Sequence, residues 1–313
     1  MTGGAGYIGS HVAALASEAG HSVVVVDDLS TGLNDRVAGA FHRLSLESDS
    51  GLEALRKIFS EEKIEAVIHL AARKQVGESV SLPEVYYKDN ISGLANLLIA
   101  MREANVLKLV FSSSAATYGM PDVDQVSETT ECAPINPYGQ TKLIGEWLVR
   151  ASASWGLRVV NLRYFNVAGS ISSQLSDKVP LNLIPIAIDR IRSGEPVTVF
   201  GDDYPTADGS CIRDYVHVAD LSRAHLSALN YLENPVRNYD TFNVGTGHGA
   251  SVFEVLRELR NASGVQFETV IANRRPGDPP RLVADVTRIQ QELGFECEFS
   301  IEDIVRSAWE SAN

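Results

Sequence analysis

Short apolar runs alternate with amphipathic stretches through the first half of the chain. Ser22–Val26, Ala66–Leu70, Leu107–Phe111 and Leu157–Leu162 are rich in branched apolar side chains, and each reads as a buried strand. Between them, apolar positions recur at helical spacing over roughly 8–19, 51–60, 84–104 and 137–154. Continuous β-branched runs separated by helices predict a parallel sheet covered on both faces.

The pattern changes near residue 166. Ser170 to Asp177 is polar and reads as a loop, a helix is expected near 183–193, and Val197–Phe200 reads as a short strand. Gly201 to Gly209 is rich in Gly, Asp and Pro and again reads as loop. A helix near 217–232 and a strand at Thr241–Val244 look like a return to the main sheet. Helices near 251–260, 286–293 and 301–311 complete the chain, with no internal repeat, low-complexity segment or separating linker.

Composition narrows the class. The 313 residues are 44% hydrophobic, enough for a large core, and the formal net charge is -13. That sign disfavours nucleic acid and anionic membrane surfaces as partners. An anionic ligand then needs a local pocket. Cys132, Cys211 and Cys297 are far apart, which suggests neither a disulfide framework nor a zinc site and fits a reducing, cytoplasmic compartment. The seven histidines show no metal-ligand spacing, so no metal is expected. No apolar run reaches the length of a membrane span, and no signal-peptide pattern precedes the first motif.

The first chemistry lies at Thr2–His11, where Gly3, Gly6 and Gly9 make a G-x-x-G-x-x-G. Glycines permit the tight turn, the close approach of backbone to a pyrophosphate, and close packing of helix on strand. The helix that follows aims its N-terminus at the same phosphates. Asp27 ends the next predicted strand, about 20 residues on, where an acid accepts bonds from the adenosine ribose. Asp28 follows it. Two carboxylates repel a 2′-phosphate, so NAD is favoured over NADP. One feature conflicts: only Met1 and Thr2 precede the glycines, where a strand belongs. The first, central strand is expected to be missing, or its place taken by another segment.

The second chemistry is Tyr138 and Lys142, four apart on a predicted helix and therefore on one face. A free phenol is a weak base at neutral pH. A lysine ammonium one turn away, with the positive nicotinamide ring, is expected to favour the phenolate. Upstream, the strand ending at Phe111 runs into Ser112-Ser113-Ser114, at the carboxyl end of a strand where ligands sit in such sheets.

Seven motifs occur in order: T-G-G-x-G-Y-I-G-S-H, K-x-V-G-E-S, S-S-S-A-x-x-Y-G, N-P-Y-G-x-T-K, L-R-Y-F-N, F-G-D-D-Y-P-T-x-D-G-x-x-x-R-D-Y and R-R-P-G-D. The chain thereby strongly resembles the UDP-glucose 4-epimerases, extended short-chain dehydrogenases/reductases, from residue 2 to about 295. The segments 200–217 and 274–278 are the most specific part of the match. The resemblance implies a doubly wound Rossmann sheet over 1–168, with 214–246 returning to it, and a smaller C-terminal UDP-sugar lobe from 169–213 and 247–313. It implies a C4 epimerase of UDP-hexoses, working through a 4-keto sugar with bound NAD, and a homodimer paired through the helices near 84–104 and 137–154.

Residue by residue, the resemblance makes Tyr138 the acid/base, Lys142 its tuner and ribose clamp, and Ser114 the hydroxyl that relays the C4 proton. NAD would be lined by the glycine loop, Tyr7, Ile8, the run Asp27, Asp28, Leu29, Ser30, Thr31 and Gly32, then Ser45 and Leu46, then Leu70, Ala71, Ala72 and Lys74, and Phe165. The UDP-sugar would meet Ser114, Tyr138, Asn166, Asn182, Leu183, Thr198, Val199, Phe200, Arg213, the segment Arg275 to Asp278, and Leu282. Guanidinium forks suit diphosphate oxygens.

Departures and competitors bear on this. Ser45-Leu46 stands where the family commonly has an Asp at the adenine edge, and Asp89-Asn90 where it has Asn-Asn. Leu282, at the position that gates the sugar's C2 side, is intermediate in bulk and neither admits nor excludes N-acetylated sugars. A sugar-nucleotide 4,6-dehydratase is the nearest alternative, but it needs an acid pair where Ala115-Ala116 stand. A catalytically silent NAD-binding protein is the other alternative, against which the intact Tyr138 and Lys142 argue.

Overall fold

The structure is a computed structural model that describes residues 1–37, 39–275 and 277–312. It divides into two compact units. Unit 1 is Met1–Gly119, Cys132–Arg163 and Ser222–Phe242; unit 2 is Met120–Glu131, Tyr164–Leu221 and Asn243–Asn313.

In chain order the elements begin α1 (Tyr7–Glu18), β1 (Val24–Asp27), β2 (Ala40–Arg43), α2 (Gly51–Glu61), β3 (Val67–His69), α3 (Val76–Ser81) and α4 (Pro83–Tyr87). They continue α5 (Gly93–Glu103), β4 (Lys108–Ser114), α6 (Pro137–Ser152), β5 (Arg158–Tyr164), β6 (Asn166–Ala168), α7 (Leu183–Ser193), β7 (Val197–Phe200) and β8 (Ile212–His217). The last are α8 (Val218–Tyr231), β9 (Tyr239–Val244), β10 (Gly249–Ser251), α9 (Val252–Ser263), β11 (Thr269–Ala272), β12 (Arg281–Leu282), α10 (Thr287–Leu293) and α11 (Ile301–Ser311).

Unit 1 is α/β. β1 pairs with β2 and β3 with β4, both in parallel, and the second ladder continues to β5 and β9. The expected gap between these two pieces is filled. Thr2 makes parallel bridges to Val26 on one side and His69 on the other. Its N–H donates to the Ile68 carbonyl at 3.1 Å, and the Leu70 N–H donates to its carbonyl at 3.0 Å. Across the other edge, Gly3 donates to Val26 and Val26 to Met1, each at 2.8 Å. Thr2 thus takes the place expected for the leading strand and satisfies the facing backbone groups at the end of the sheet where the glycine loop begins.

Helices α2 and α5 cover this sheet with Leu55, Ile58, Phe59, Leu94, Leu97 and Met101, packed on Val24, Val26, Val67, Leu109 and Val159. Each fully buried side chain of this size stabilises by roughly 1.5–3 kcal/mol. The helix expected over 84–104 is interrupted by a π turn at Lys88–Ser92. Asn90 explains it. Its buried side chain accepts from the Arg73 N–H at 2.8 Å and donates to the Arg73 carbonyl at 3.1 Å and to Thr141 Oγ1 at 3.0 Å. The extra residue in the turn carries that amide inward.

In unit 2, β8 is flanked in parallel by β6 and β12 and in antiparallel by β10. β7 and β11 form a separate parallel pair. Helices α7, α9 and α11 bury Ile184, Ile188, Val255, Leu256, Leu259, Ile304 and Val305. Capping boxes start α9 (Ser251 with Glu254) and α11 (Ser300 with Asp303).

Candidate functional site

The glycine loop leaves no room for side chains at Gly3 and Gly9, whereas a Cβ on Gly6 would make only ordinary contact, 3.4 Å from the Gly3 carbonyl oxygen. A Cβ on Gly9 would lie 2.1 Å from the Gly3 carbonyl oxygen, and one on Gly3 2.5 Å from the Ala71 nitrogen. Gly3 also has φ +71°, a conformation that L side chains rarely adopt. Helix α1 begins without a side-chain cap and without an acid in its first turn. A helix end left open by its own side chains suits a phosphate.

Asp27 braces this loop. One carboxylate oxygen accepts from the Ala5 N–H at 3.0 Å and the other from the Leu29 N–H at 2.9 Å. Burial raises its pKa above the ordinary value, against these backbone bonds. With a further backbone bond from Gly6, the carboxylate still has acceptor capacity for a ribose. Asp28 turns out to solvent and ties down Ser30. Leu29 takes φ +62°, a left-handed conformation that sharpens the turn after β1. Thr31 is exposed and Gly32 is buried, a Cβ on the latter meeting Asp27 at 2.8 Å. Leu70, Ala71 and Ala72 are half-buried and Lys74 is exposed. Ser45 spends its hydroxyl on Glu47, and the Leu46 side chain belongs to the core. From Leu46, only backbone remains to meet a cofactor.

Helix α6 places the second set. Asn136 caps it by accepting from the Gly139 N–H at 2.8 Å, and Pro137 occupies the first turn. Tyr138 therefore enters the helix at its N-terminal end. Lys142, 4% exposed, donates to the Ser112 carbonyl at 2.7 Å. Its Nζ lies 5.5 Å from the Phe111 ring centre and 5.9 Å from that of Tyr138. Burial pushes the Lys142 pKa down to about 7, and the Glu146 carboxylate works against that fall. Burial pushes the Tyr138 phenol up, while a hydrogen bond with Ser114 pulls it down. The lowering of the phenol by Lys142 that the sequence suggests is not what dominates here: desolvation wins, and the ammonium is engaged by Ser112.

In unit 2 the structure brings Arg213 and Asp278 together as an ion pair, with a second Arg213 bond to the Ile212 carbonyl at 2.7 Å. Leu282 stands opposite Arg213 in the β12–β8 register. Arg275 lies over the Phe200 ring at 3.9 Å. Thr198 is exposed and Val199 buried, as alternation along β7 requires. Asn166 opens β6, and Phe165 is buried with its N–H on the Val244 carbonyl. Asn182 is exposed at the head of α7 without capping it by its side chain, and Leu183 is half-buried. Within the Arg275–Asp278 segment, Pro276 lies outside the described residues.

Several residues were not singled out by sequence. Glu146 and Arg163 form a buried fork, joined by Ser113 and Tyr118. His69 bonds Thr2 Oγ1 through Nδ1 at 2.7 Å and stacks on Phe111 at 5.8 Å. Burial, with Lys142 and the chain terminus nearby, drives its pKa down to about 3, so it is a neutral imidazole. Tyr204 is buried, with Arg274 over its ring at 4.3 Å. Tyr118, Arg163 and Tyr204 lie inside the quoted motifs, which was their only signal. No group of three or more His, Cys, Asp or Glu among the described residues could hold a metal, and none of the described helices is long and apolar enough to cross a membrane.

Residues 1–245 match the NAD dependent epimerase/dehydratase family. The chain is 43% identical to the UDP-glucose 4-epimerase of Azospirillum brasilense over 319 residues, which cover 99% of this chain and 91% of that one. Its fold matches the UDP-glucose 4-epimerase of Brucella ovis in complex with NAD, with TM-score 0.95, 40% identity, and 99% and 97% of the two chains covered. It also matches that of Stenotrophomonas maltophila with bound NAD and formylated UDP-arabinopyranose, with TM-score 0.94, 39% identity, and 99% and 96% covered.

Proposed function

The chain belongs to the NAD dependent epimerase/dehydratase family, and from that premise we infer that it inverts C4 of UDP-hexoses, interconverting UDP-glucose and UDP-galactose with NAD held in the protein. The observation that carries the reading in this chain is the grouping of Tyr138, Lys142 and Ser114 where β4 meets the head of α6.

The glycine loop and Asp27 fit a dinucleotide in the Rossmann manner: the loop by its closeness to Ala71, Asp27 by its remaining acceptor capacity. We assign the pyrophosphate to the α1 N-terminus with Tyr7 and Ile8, and the adenosine ribose to Asp27 and its turn. Bound NAD supplies the group that accepts and returns the C4 hydride. Tyr138 takes the C4 hydroxyl proton and returns it to the C4 oxygen after the keto sugar has turned over. Ser114 bridges that proton to the phenol. Lys142 supplies positive charge beneath both. In the substrate lobe, Arg213 and Arg275 take the diphosphate, and Phe200, Asn182 and Leu183 the uridine end. Holding the nucleotide supplies binding energy while leaving the sugar free to turn over.

The dehydratase reading lacks its acids, because the turn after β4 holds Ala115 and Ala116. We further infer a cytoplasmic enzyme that pairs as a homodimer through α4, α5 and α6. Ile99 on α5 and Trp147 on α6 support that pairing, being 42% and 60% exposed.

The test is incubation with UDP-galactose, without added NAD, followed by analysis of the sugar. UDP-glucose of unchanged mass is expected. A product lighter by one water would make the enzyme a dehydratase, and no conversion by protein carrying bound nicotinamide would end the assignment.

A further inference from the structure

Strand β4 grips helix α6 at three successive residues. The Ser114 hydroxyl bonds the Tyr138 phenol, the Ser112 carbonyl accepts from Lys142, and the Ser113 hydroxyl donates to Glu146. Tyr138, Lys142 and Glu146 are spaced by four, so they rise along one face of the helix. Glu146 is closed on its far side by Arg163, whose Nε and Nη2 meet its two oxygens at 2.9 and 2.7 Å. Arg163 in turn donates from Nη1 to the Tyr118 hydroxyl at 3.0 Å, with the Tyr118 ring 4.8 Å below the guanidinium.

Glu146 and Arg163 are 3% and 7% exposed. A buried pair of this kind adds little net stability over apolar residues of the same volume. Its placement one turn behind Lys142 has a use that packing does not need. We propose that Glu146 is a positioning residue for the acid/base pair: fixed by Arg163 and Ser113, its carboxylate sets a negative charge one helical turn behind Lys142 and holds the end of β4 where Ser114 meets Tyr138. This rests on the reading of Tyr138 as the proton acceptor.

The ionisable groups around Lys142 are few. Tyr138 and Glu146 share its helix, neutral His69 faces it from β3, and Arg163 on β5 and Cys132 lie beyond Glu146. On the segments packed against α6, Arg73 after β3 is taken by Asp89 and Glu78 on α3 by Tyr86, while Glu84 and Lys88 are exposed. Among the described residues, Glu146 is the negative charge that opposes the desolvation of Lys142.

The test follows Lys142 directly, by NMR of the full chain with isotope-labelled lysine, the signal being assigned by its loss in K142R. In E146Q the ionisation midpoint of Lys142 should fall by about one unit. The alkaline limb of kcat should move with it, and kcat near neutral pH should drop about tenfold while KM for UDP-galactose stays within about twofold. E146D keeps the charge and should restore the midpoint. E146Q/R163M removes both charges without leaving a buried orphan, so it guards against loss of fold; its midpoint should also lie below that of wild type. A folded E146Q or E146Q/R163M with the wild-type midpoint and pH profile overturns the proposal. If the wild-type protein carries NAD yet does not epimerise, the reading of Tyr138 falls instead, and the Lys142 midpoint still reports on Glu146 by itself.

Discussion

The ammonium of Lys142 is turned onto the carbonyl of Ser112, 2.7 Å away, rather than onto the phenol of Tyr138. In the protein without cofactor, burial therefore holds the phenol above its ordinary pKa, and Ser114 alone opposes it. The positive charge that a basic Tyr138 requires must come in part from oxidised nicotinamide. Loading the protein with NAD⁺ is expected to lower the ionisation midpoint of Tyr138, and NADH is expected to do so less. Ultraviolet difference titration of wild type against Y138F isolates that phenol. Equal midpoints in the two cofactor states would contradict this division of labour.

Lys142 should cost the fold stability that its function repays. Its folded pKa, about 7, lies below the 10.5 of a free lysine. A base with a lowered folded pKa is penalised fully below the folded value and relieved as pH rises toward the unfolded one. K142M is thus expected to be more stable than wild type at pH 7 by about 2–4 kcal/mol, even though it gives up the bond to Ser112. The difference should shrink between about pH 7 and pH 10. Denaturant unfolding of the two proteins across that window checks it. A difference that stays constant with pH would mean that Lys142 does not titrate in the fold.

Replacing Tyr138 by Phe removes one oxygen and leaves the ring in place. Turnover of UDP-galactose should fall by about 10²–10⁴-fold, the usual share of a general acid/base. UDP and NAD should bind as in wild type, because the phenol holds neither phosphate. Steady-state rates with calorimetric titration of UDP separate the two effects. Retained turnover would place the proton transfer on another group.

The strands that the sequence made legible are those with continuous branched apolar runs. Val197–Phe200 and the helices at 183–193 and 301–311 coincide with β7, α7 and α11. The unread strands include β2, β8 and β11, of four to six residues, and β6, β10 and β12, of two or three. The last three are held by pairing with β8 and not by a pattern of their own. The same limit applies to the site. Tyr138 and Lys142 could be found because four residues make one helical turn. Glu146 and Arg163 are 17 residues apart and meet only once β5 lies beside α6. Thr2 looked too short to be a strand, yet its two neighbours impose pairing on it. Periodicity reports which face a residue occupies, and not which side chain from elsewhere will meet it.

Arg213 and Asp278 are brought together across 65 positions of sequence. Both were expected to touch the UDP-sugar, and in the free protein each neutralises the other. R213A should raise KM for UDP-galactose about 10–100-fold with kcat little changed, because diphosphate binding is shared by ground and transition states. R213K keeps charge but not the fork, and should fall between. An unchanged KM in R213A would remove Arg213 from the substrate site and leave it a partner of Asp278 alone.

The glycine loop offers the sharpest test of the nucleotide site, because its obstruction is backbone and cannot swing aside. In G9A the added methyl meets the Gly3 carbonyl oxygen at 2.1 Å and the Gly4 Cα at 2.7 Å. Helix α1 must then lift away from the loop, opening the cradle that would hold pyrophosphate. Loss of about 2–3 kcal/mol in stability and loss of bound nicotinamide are expected together. Gly77 is the matching control. It lies in the exposed helix α3, and a Cβ there meets nothing within 4 Å. G77A should be neutral or more stable by about 0.5–1 kcal/mol, since alanine is the better helix former. Thermal unfolding and the nicotinamide content of the purified proteins read both effects. If G9A kept wild-type melting and its cofactor, the close approach of Gly9 to Gly3 would have no part in holding the nucleotide.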